Sequence, residues 1–136
     1  MFENILQFGL LGFGKMGKIR HQTLNQMEQC AVQIIYEYND NIATPETLKR
    51  INSAEELIAS NDIDAVVISV PNYLIKSYVI ASLESGKHVF CEKPPGMNLP
   101  EVLAMKEAME KSGCKLMFGF NHRHHQSIIK AKDVVD

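Results

Sequence analysis

The chain has 136 residues, 46% of them hydrophobic and 22% charged, and its basic side chains fall two short of its acidic ones, for a formal charge of −2. A chain of this length forms one domain burying roughly two-thirds of its unfolded surface, so its core needs no metal or disulfide, and disordered, collagen-like and knottin-like classes are excluded. The near-neutral balance supplies no basic field for a nucleic-acid backbone and no polybasic patch for an anionic membrane.

In chain order, short apolar clumps alternate with segments of helical spacing. The run from Ile5 to Leu11 leads straight into Gly12, as a buried strand bounded by a turn does. A helix is predicted from about Lys15 to Met27, with Met16, Ile19, Thr23 and Met27 along one face. Val32 to Tyr36 reads as a second strand, closed by the polar run Glu37, Tyr38, Asn39 and Asp40. Pro45 has the place of the first residue of a short helix, and Ser53 with Glu56 three positions on forms a capping box for a helix through Leu57 and Ile58. Ala65 to Ser69, apolar on both faces, is a central parallel strand ended by Pro71. A helix from Leu74 to Ser85 stops at Gly86, and His88 to Cys91 is the next strand. Asn98 and Glu101 form a second capping box, opening a helix through Val102, Met105 and Met109 to Gly113, before a last strand from Lys115 to Phe120. The tail from Ser127 to Asp136 has helical spacing whose apolar positions need a partner.

Five strands joined through connections too long for hairpins require parallel pairing with crossovers, so the fold class is α/β with a doubly wound parallel sheet. Cys30, Cys91 and Cys114 are odd in number and lack Cys-x-x-Cys spacing, which predicts reduced thiols. No apolar run reaches the ~18 residues of a membrane span. Glu3 and Asn4 stand where a secretory signal would be basic. The expectation is a soluble cytoplasmic protein whose partners include neither nucleic acid nor membrane.

Gly12, Gly14 and Gly17 form G-x-G-x-x-G between the first strand and the first helix. In that context the first glycine permits a tight turn, the second lets a pyrophosphate approach the backbone, and the third lets helix and strand pack closely. The helix N-terminus offers free N–H groups and partial positive charge to the phosphates. A tight turn without a ligand is the bland alternative. The second half of the fingerprint is an acid about 20 residues on that accepts from the ribose hydroxyls. Glu37 stands there, with Asn39 and Asp40 as rivals, or all three are turn residues. An acid at that place repels a 2′-phosphate, and no Lys or Arg follows before Lys49, which favours NAD over NADP.

Ser69-Val-Pro-Asn72 closes the third strand and Cys91-Glu-Lys-Pro94 the fourth, at carboxyl ends where open parallel sheets gather ligands. Lys93 is therefore either an ammonium that bonds a reacting hydroxyl or helps its proton leave, or a solvated lysine in a Pro-flanked loop. His122, His124 and His125 lack a nearby carboxylate or a ligand-pair spacing, so no metal site is expected. Met16, Met27, Met105 and Met109 read as core filler.

Three strings, in this order and spacing, carry a specific resemblance: Ala65-Val-Val-Ile-Ser-Val-Pro-Asn72, Ser85-Gly-Lys-His-Val-Phe-Cys-Glu-Lys-Pro94 and Phe118-Gly-Phe-Asn-His-Arg123. With the glycine fingerprint they make the chain resemble the N-terminal, Rossmann-like nucleotide-binding domain of the Gfo/Idh/MocA oxidoreductases, from Leu6 to about Arg123. The resemblance implies that the backbone around Phe13, Gly14, Lys15 and Met16 holds the pyrophosphate and Glu37 the adenosine ribose. Val70, Pro71 and Asn72 would line the cofactor, Glu92 and Lys93 would border the nicotinamide, and Asn121 and Arg123 would close the cleft. Lys93 is the implied catalytic residue, orienting the reacting hydroxyl or relaying its proton, and its bond to Pro94 is commonly cis in the family.

Members of the family exchange hydride between a nicotinamide cofactor and a sugar or polyol alcohol or ketone. Ile75 and Lys76 depart from the pattern, since many members have a His at this place. The larger departure is length, because members continue with a second domain that supplies the substrate pocket and an Asp/His pair and often carries contacts between copies in homo-oligomers. Residues 1–123 are therefore expected to form the dinucleotide-binding domain and 124–136 the start of a connection toward an absent second one, without full activity alone. A non-catalytic dinucleotide-binding or regulatory module is the alternative, and a methyltransferase a third, although it gives no reason for Lys93 beside Pro94.

Overall fold

The computed structural model describes residues 5–135; the N-terminal residues that include Glu3 and Asn4, and Asp136 at the end of the predicted tail helix, lie outside them. In chain order the elements are β1 (Leu6–Leu11), α1 (Lys15–Leu24), β2 (Cys30–Tyr36), β3 (Lys49–Arg50), α2 (Ala54–Ala59), β4 (Ala65–Ile68), α3 (Asn72–Glu84), β5 (His88–Cys91), α4 (Leu99–Ser112), β6 (Leu116–Phe118), a 3-10 turn at Asn121–His124, and α5 (Gln126–Val135). The strands form one sheet in the order β3-β2-β1-β4-β5-β6, and every pairing is parallel. The chain fills one half of the sheet with β1 to β3, then returns to build the other half from β4 outward. Strand order therefore reverses between β1 and β4, and a crevice opens beyond their carboxyl ends.

The two-residue alternation of the strands divides the core in two. Leu11, Ile34, Val66, Ile68 and Val89 face α2, α3 and α4, where Leu57, Ile75, Val79, Leu83 and Met105 complete the larger cluster. Leu10, Ile35 and Val67 face the other way and meet Phe13, Leu48 and the half-buried Phe8, Leu24 and Phe90. Pairing register puts Ile35, Leu10, Val67, Phe90 and Met117 in one row across this second face. Burial falls along the row, from complete at Leu10 to 54% exposure at Met117, because α1 covers only part of that face.

The two capping boxes are present. Ser53 Oγ accepts from Glu56 N–H at 3.1 Å and Asn98 Oδ1 from Glu101 N–H at 3.0 Å, while each glutamate accepts in return from the N–H preceding the cap, at Asn52 and Met97. The stop at Gly113 is left-handed, with φ +69°, and Gly86, just past α3, has φ +74°.

Several expectations are corrected. No helix follows Pro45; its carbonyl accepts from Leu48 N–H in a turn, which delivers the sixth strand, β3. That strand is two residues long, too short for any alternation to register. Helix α1 ends at Leu24, three residues early, so Met27 lies outside the core at 46% exposure and Ile19 at 39% is no part of a buried stripe. In contrast, α3 starts at Asn72 directly after Pro71, two residues sooner than its apolar spacing indicates. The tail is helical, but none of its described residues is buried.

Candidate functional site

The three fingerprint glycines have separate physical roles. Gly12 adopts φ +91° and takes the chain out of β1. A Cβ on Gly17 would stand 2.2 Å from the Gly12 carbonyl oxygen, so α1 packs against the turn at a distance only glycine allows. A Cβ on Gly14 would meet nothing within 4 Å. The second glycine therefore faces open space, where a ligand's close approach, and no packing requirement, accounts for the missing side chain.

Helix capping separates structural helix ends from those at the crevice. Both α2 and α4 carry a side-chain cap and an acid in the first turn. Neither α1 nor α3 has a side-chain cap, and neither has an acid in its first turn. These two helices begin at the carboxyl ends of β1 and β4, so uncompensated N-terminal dipoles converge on the switch point. The first-turn N–H groups of Lys15 and Met16 have no carbonyl of their own helix to bond, which suits them to an anion.

Beside the turn lies a cavity of about 390 Å³, lined by Gly12, Gly14, Glu37, Val70 and Pro71 together with Ser69 and the tyrosines 36, 38, 73 and 78. That volume is within the range of small-molecule sites. Of the three rivals after β2, only Glu37 lines it. Its carboxylate is buried, with Oε2 accepting from Phe13 N–H at 2.6 Å and Oε1 from Asn39 N–H at 3.0 Å. Each carboxylate oxygen has a second lone pair, so a hydroxyl pair can still be received. Asn39 turns its own side chain to Asn41 N–H, and Asp40 pairs with Arg50 at 2.9 Å. Arg50 also donates to the Glu37 carbonyl at 2.7 Å, so the end of β2 is clamped from β3.

Phe13 corrects one expectation. Its N–H is committed to Glu37 and its ring is buried among Leu10, Ile35 and Leu48, so it braces the turn from behind. Asn72 is exposed at the first residue of α3 and does not line the cavity.

The other half of the candidate site lies past β5 and β6. A cleft of about 550 Å³ is lined by Lys93, Gly119, Phe120, Asn121, His122, Arg123 and Ile128. The Lys93–Pro94 peptide is cis. Lys93 is exposed, and its ammonium engages no partner among the described residues. Glu92 is not at the surface of this cleft; it is buried and paired with Arg20 of α1. The neighbouring Cys91 thiol is pushed up to about 12 by burial, with the Glu92 charge adding to the effect. The histidines 122, 124 and 125 are exposed, and among the described residues no group of three or more His, Cys, Asp or Glu side chains could hold a metal ion.

Three features escaped the sequence reading. Ser69 Oγ is buried without a hydrogen-bond partner. The tyrosines gather from β2, its following turn and α3. Burial raises the Tyr78 phenol, and Glu55, Tyr36 and Tyr73 add to the shift. Two of them could have been found, since Tyr38 follows Glu37 and Tyr73 follows Asn72 directly. Arg20 left no signal, because the pairing of a mid-helix arginine with an acid 72 positions on is a product of the fold.

An open parallel sheet with a ligand-sized hollow over its glycine turn, an acid at the end of β2 and bare helix dipoles at the switch point defines a dinucleotide-binding domain. A family model described as the oxidoreductase family, NAD-binding Rossmann fold, matches residues 6–120, and the chain belongs to this Gfo/Idh/MocA family.

The myo-inositol 2-dehydrogenase of Thermotoga maritima is 30% identical over 136 aligned residues, which cover 96% of this chain and 41% of that protein. The 2,7-anhydro-N-acetylneuraminate hydratase of Escherichia coli K12 is also 30% identical, over 85% of this chain and 32% of the relative. Scyllo-inositol dehydrogenase from Lactobacillus casei, solved with bound NAD(H) and scyllo-inositol, superposes with a TM-score of 0.87 at 25% identity, over 98% of this chain and 40% of that one. The chain thus spans about a third to two-fifths of the length of these relatives. Among the described residues no helix is long and apolar enough to cross a membrane.

Proposed function

We propose that this chain is the nucleotide-binding part of an oxidoreductase that exchanges hydride between a nicotinamide cofactor and a hydroxyl or ketone of a sugar or polyol. The observation that carries the reading is the open face of Gly14 in a cavity that Glu37 also lines.

In this reading the N–H groups of Lys15 and Met16 hold the pyrophosphate, and Glu37 accepts from the adenosine ribose. Val70 and Pro71 border the dinucleotide, while Tyr38 and Tyr73 flank its adenine end. The Glu37 charge disfavours a 2′-phosphate, which supports NAD as the cofactor ahead of NADP. When bound, the nicotinamide would supply the hydride acceptor. Lys93 Nζ would bond the reacting oxygen, as the ammonium giving a proton to a ketone oxygen that is being reduced and as the free amine taking the proton of a hydroxyl that is being oxidised, and Asn121 and Arg123 border the same end.

Residues 1–123 would then be the binding domain, and 124–136 the start of a connection toward a substrate-binding part, through which copies of the protein could also associate. Three free thiols accord with a cytoplasmic setting. The test is calorimetric titration of the chain with NADH and NADPH. Saturable binding of NADH, with NADPH at least about tenfold weaker, is the expected result. Absence of binding at millimolar NADH overturns the reading.

A further inference from the structure

Arg20 links three elements whose ends carry the proposed nicotinamide site. From α1 its Nε donates to Glu92 Oε1 at 2.5 Å, and its Nη2 lies at the same distance from that oxygen. Nη2 also donates to Asn121 Oδ1 at 3.2 Å, and the guanidinium stands 4.8 Å from the Phe90 ring centroid. The pair is largely shielded from water, with the two side chains 16% and 9% exposed. Its surroundings are fitted to it. A Cβ on Gly119 would stand 3.0 Å from Glu92 Oε2 and 3.2 Å from both Arg20 Nη2 and the Phe90 ring, so any larger residue there would press on the pair and displace it by a few tenths of an ångström.

Glu92 immediately precedes Lys93, and Asn121 immediately follows Phe120 in the lining of the same cleft. Charge-assisted hydrogen bonds in a partly dry site are directional, so one guanidinium fixes both the end of β5 and the loop after β6 relative to α1. We propose that Arg20 is a positioning residue: through Glu92 and Asn121 it holds the Lys93 backbone and the 119–123 loop where the nicotinamide half of the cofactor has to be received. This rests on the cofactor reading above, but it assigns the task to a side chain that lines neither the cavity over the glycine turn nor the cleft beside Lys93.

The test compares NADH with ADP-ribose, which lacks the nicotinamide. Three variants of the chain are titrated with both: Arg20→Met, Arg20→Lys, and Arg20→Met combined with Glu92→Met, in which no unpaired carboxylate is left buried to endanger folding. Arg20→Met and the double variant are expected to bind NADH about tenfold more weakly while ADP-ribose binding stays within about twofold, with Arg20→Lys recovering part of the loss. A purely structural role would weaken both ligands alike, so equal losses overturn the proposal, as does unchanged NADH binding by the double variant. A parent chain that binds ADP-ribose as tightly as NADH has no formed nicotinamide end, which overturns the proposal while the nucleotide reading stands. A parent chain that binds neither overturns both.

Discussion

Gly14→Ala and Gly17→Ala place the same methyl group three residues apart and should fail in opposite ways. Gly14 has φ −65° and ψ −163°, open to any residue, and its added Cβ meets no atom. The variant should fold with a stability change within about 0.5 kcal/mol. Its methyl, however, occupies the hollow assigned to the pyrophosphate, and NADH affinity should fall at least about tenfold, or roughly 1.4 kcal/mol. At Gly17 the added Cβ lies 2.2 Å from a backbone oxygen, which cannot rotate away as a side chain can. Overpacking of this kind costs about 1–3 kcal/mol. An unfolding entropy near 2.1 cal/mol/K per residue gives about 0.29 kcal/mol/K over 136 residues, so a loss of about 2 kcal/mol lowers Tm by about 7 °C. Thermal unfolding and NADH fluorescence titration of both variants read the two effects separately. A Gly14→Ala chain that binds NADH like its parent, or that melts alongside Gly17→Ala, refutes the division of labour between the glycines.

Three further outcomes follow from the same geometry. Ser69→Ala removes a buried hydroxyl without a partner, so the chain should gain about 1 kcal/mol in denaturant unfolding; unchanged stability would show that burying the hydroxyl carries no cost. Cys91 holds its proton to about pH 12 when folded but releases it near its ordinary value of 9.0 when unfolded. Its contribution is therefore complete below pH 9 and is lost as pH climbs toward 12, with a slope approaching about 1.4 kcal/mol per pH unit. Cys91→Ala should flatten that alkaline loss in urea titrations, and an unaltered slope would contradict the assignment. In a complete enzyme carrying Lys93→Ala, steady-state kinetics should show kcat down by about a hundredfold with the NADH Kd within about twofold, and parallel losses would deny Lys93 a part in the chemical step.

What the sequence revealed depended on whether a signal was local. The capping pairs at Ser53 and Asn98, the glycine stop at Gly113 and the apolar run through Ala65 to Ile68 are decided within a few residues, and each stands where it was expected. The edge strand at Lys49–Arg50 exists only because β2 offers its open side, with Ile35 paired to Arg50, so no periodicity announces it. Met27 fails as core for a related reason: helical spacing says which side a residue takes, but not where the turn after Leu24 ends the helix. In the candidate site, the glycines and Glu37 were legible because backbone geometry demands them at fixed offsets. Arg20 and the tyrosine group were hidden, since a guanidinium reaching from α1 to β5, or aromatic rings arriving from β2 and α3, are products of strand order.

The all-parallel sheet has a consequence for how the chain reaches this state. No strand can pair with its sequence neighbour through a short turn, so each rung of the ladder waits for a long loop to close before it yields any stabilisation. Folding should therefore be slow for a protein of this size. During that wait the Ala-Val-Val-Ile segment, fully interior once folded, is an uncharged β-prone stretch open to the wrong neighbour. Crowded chains emerging together from synthesis are where such a topology is most vulnerable to aggregation.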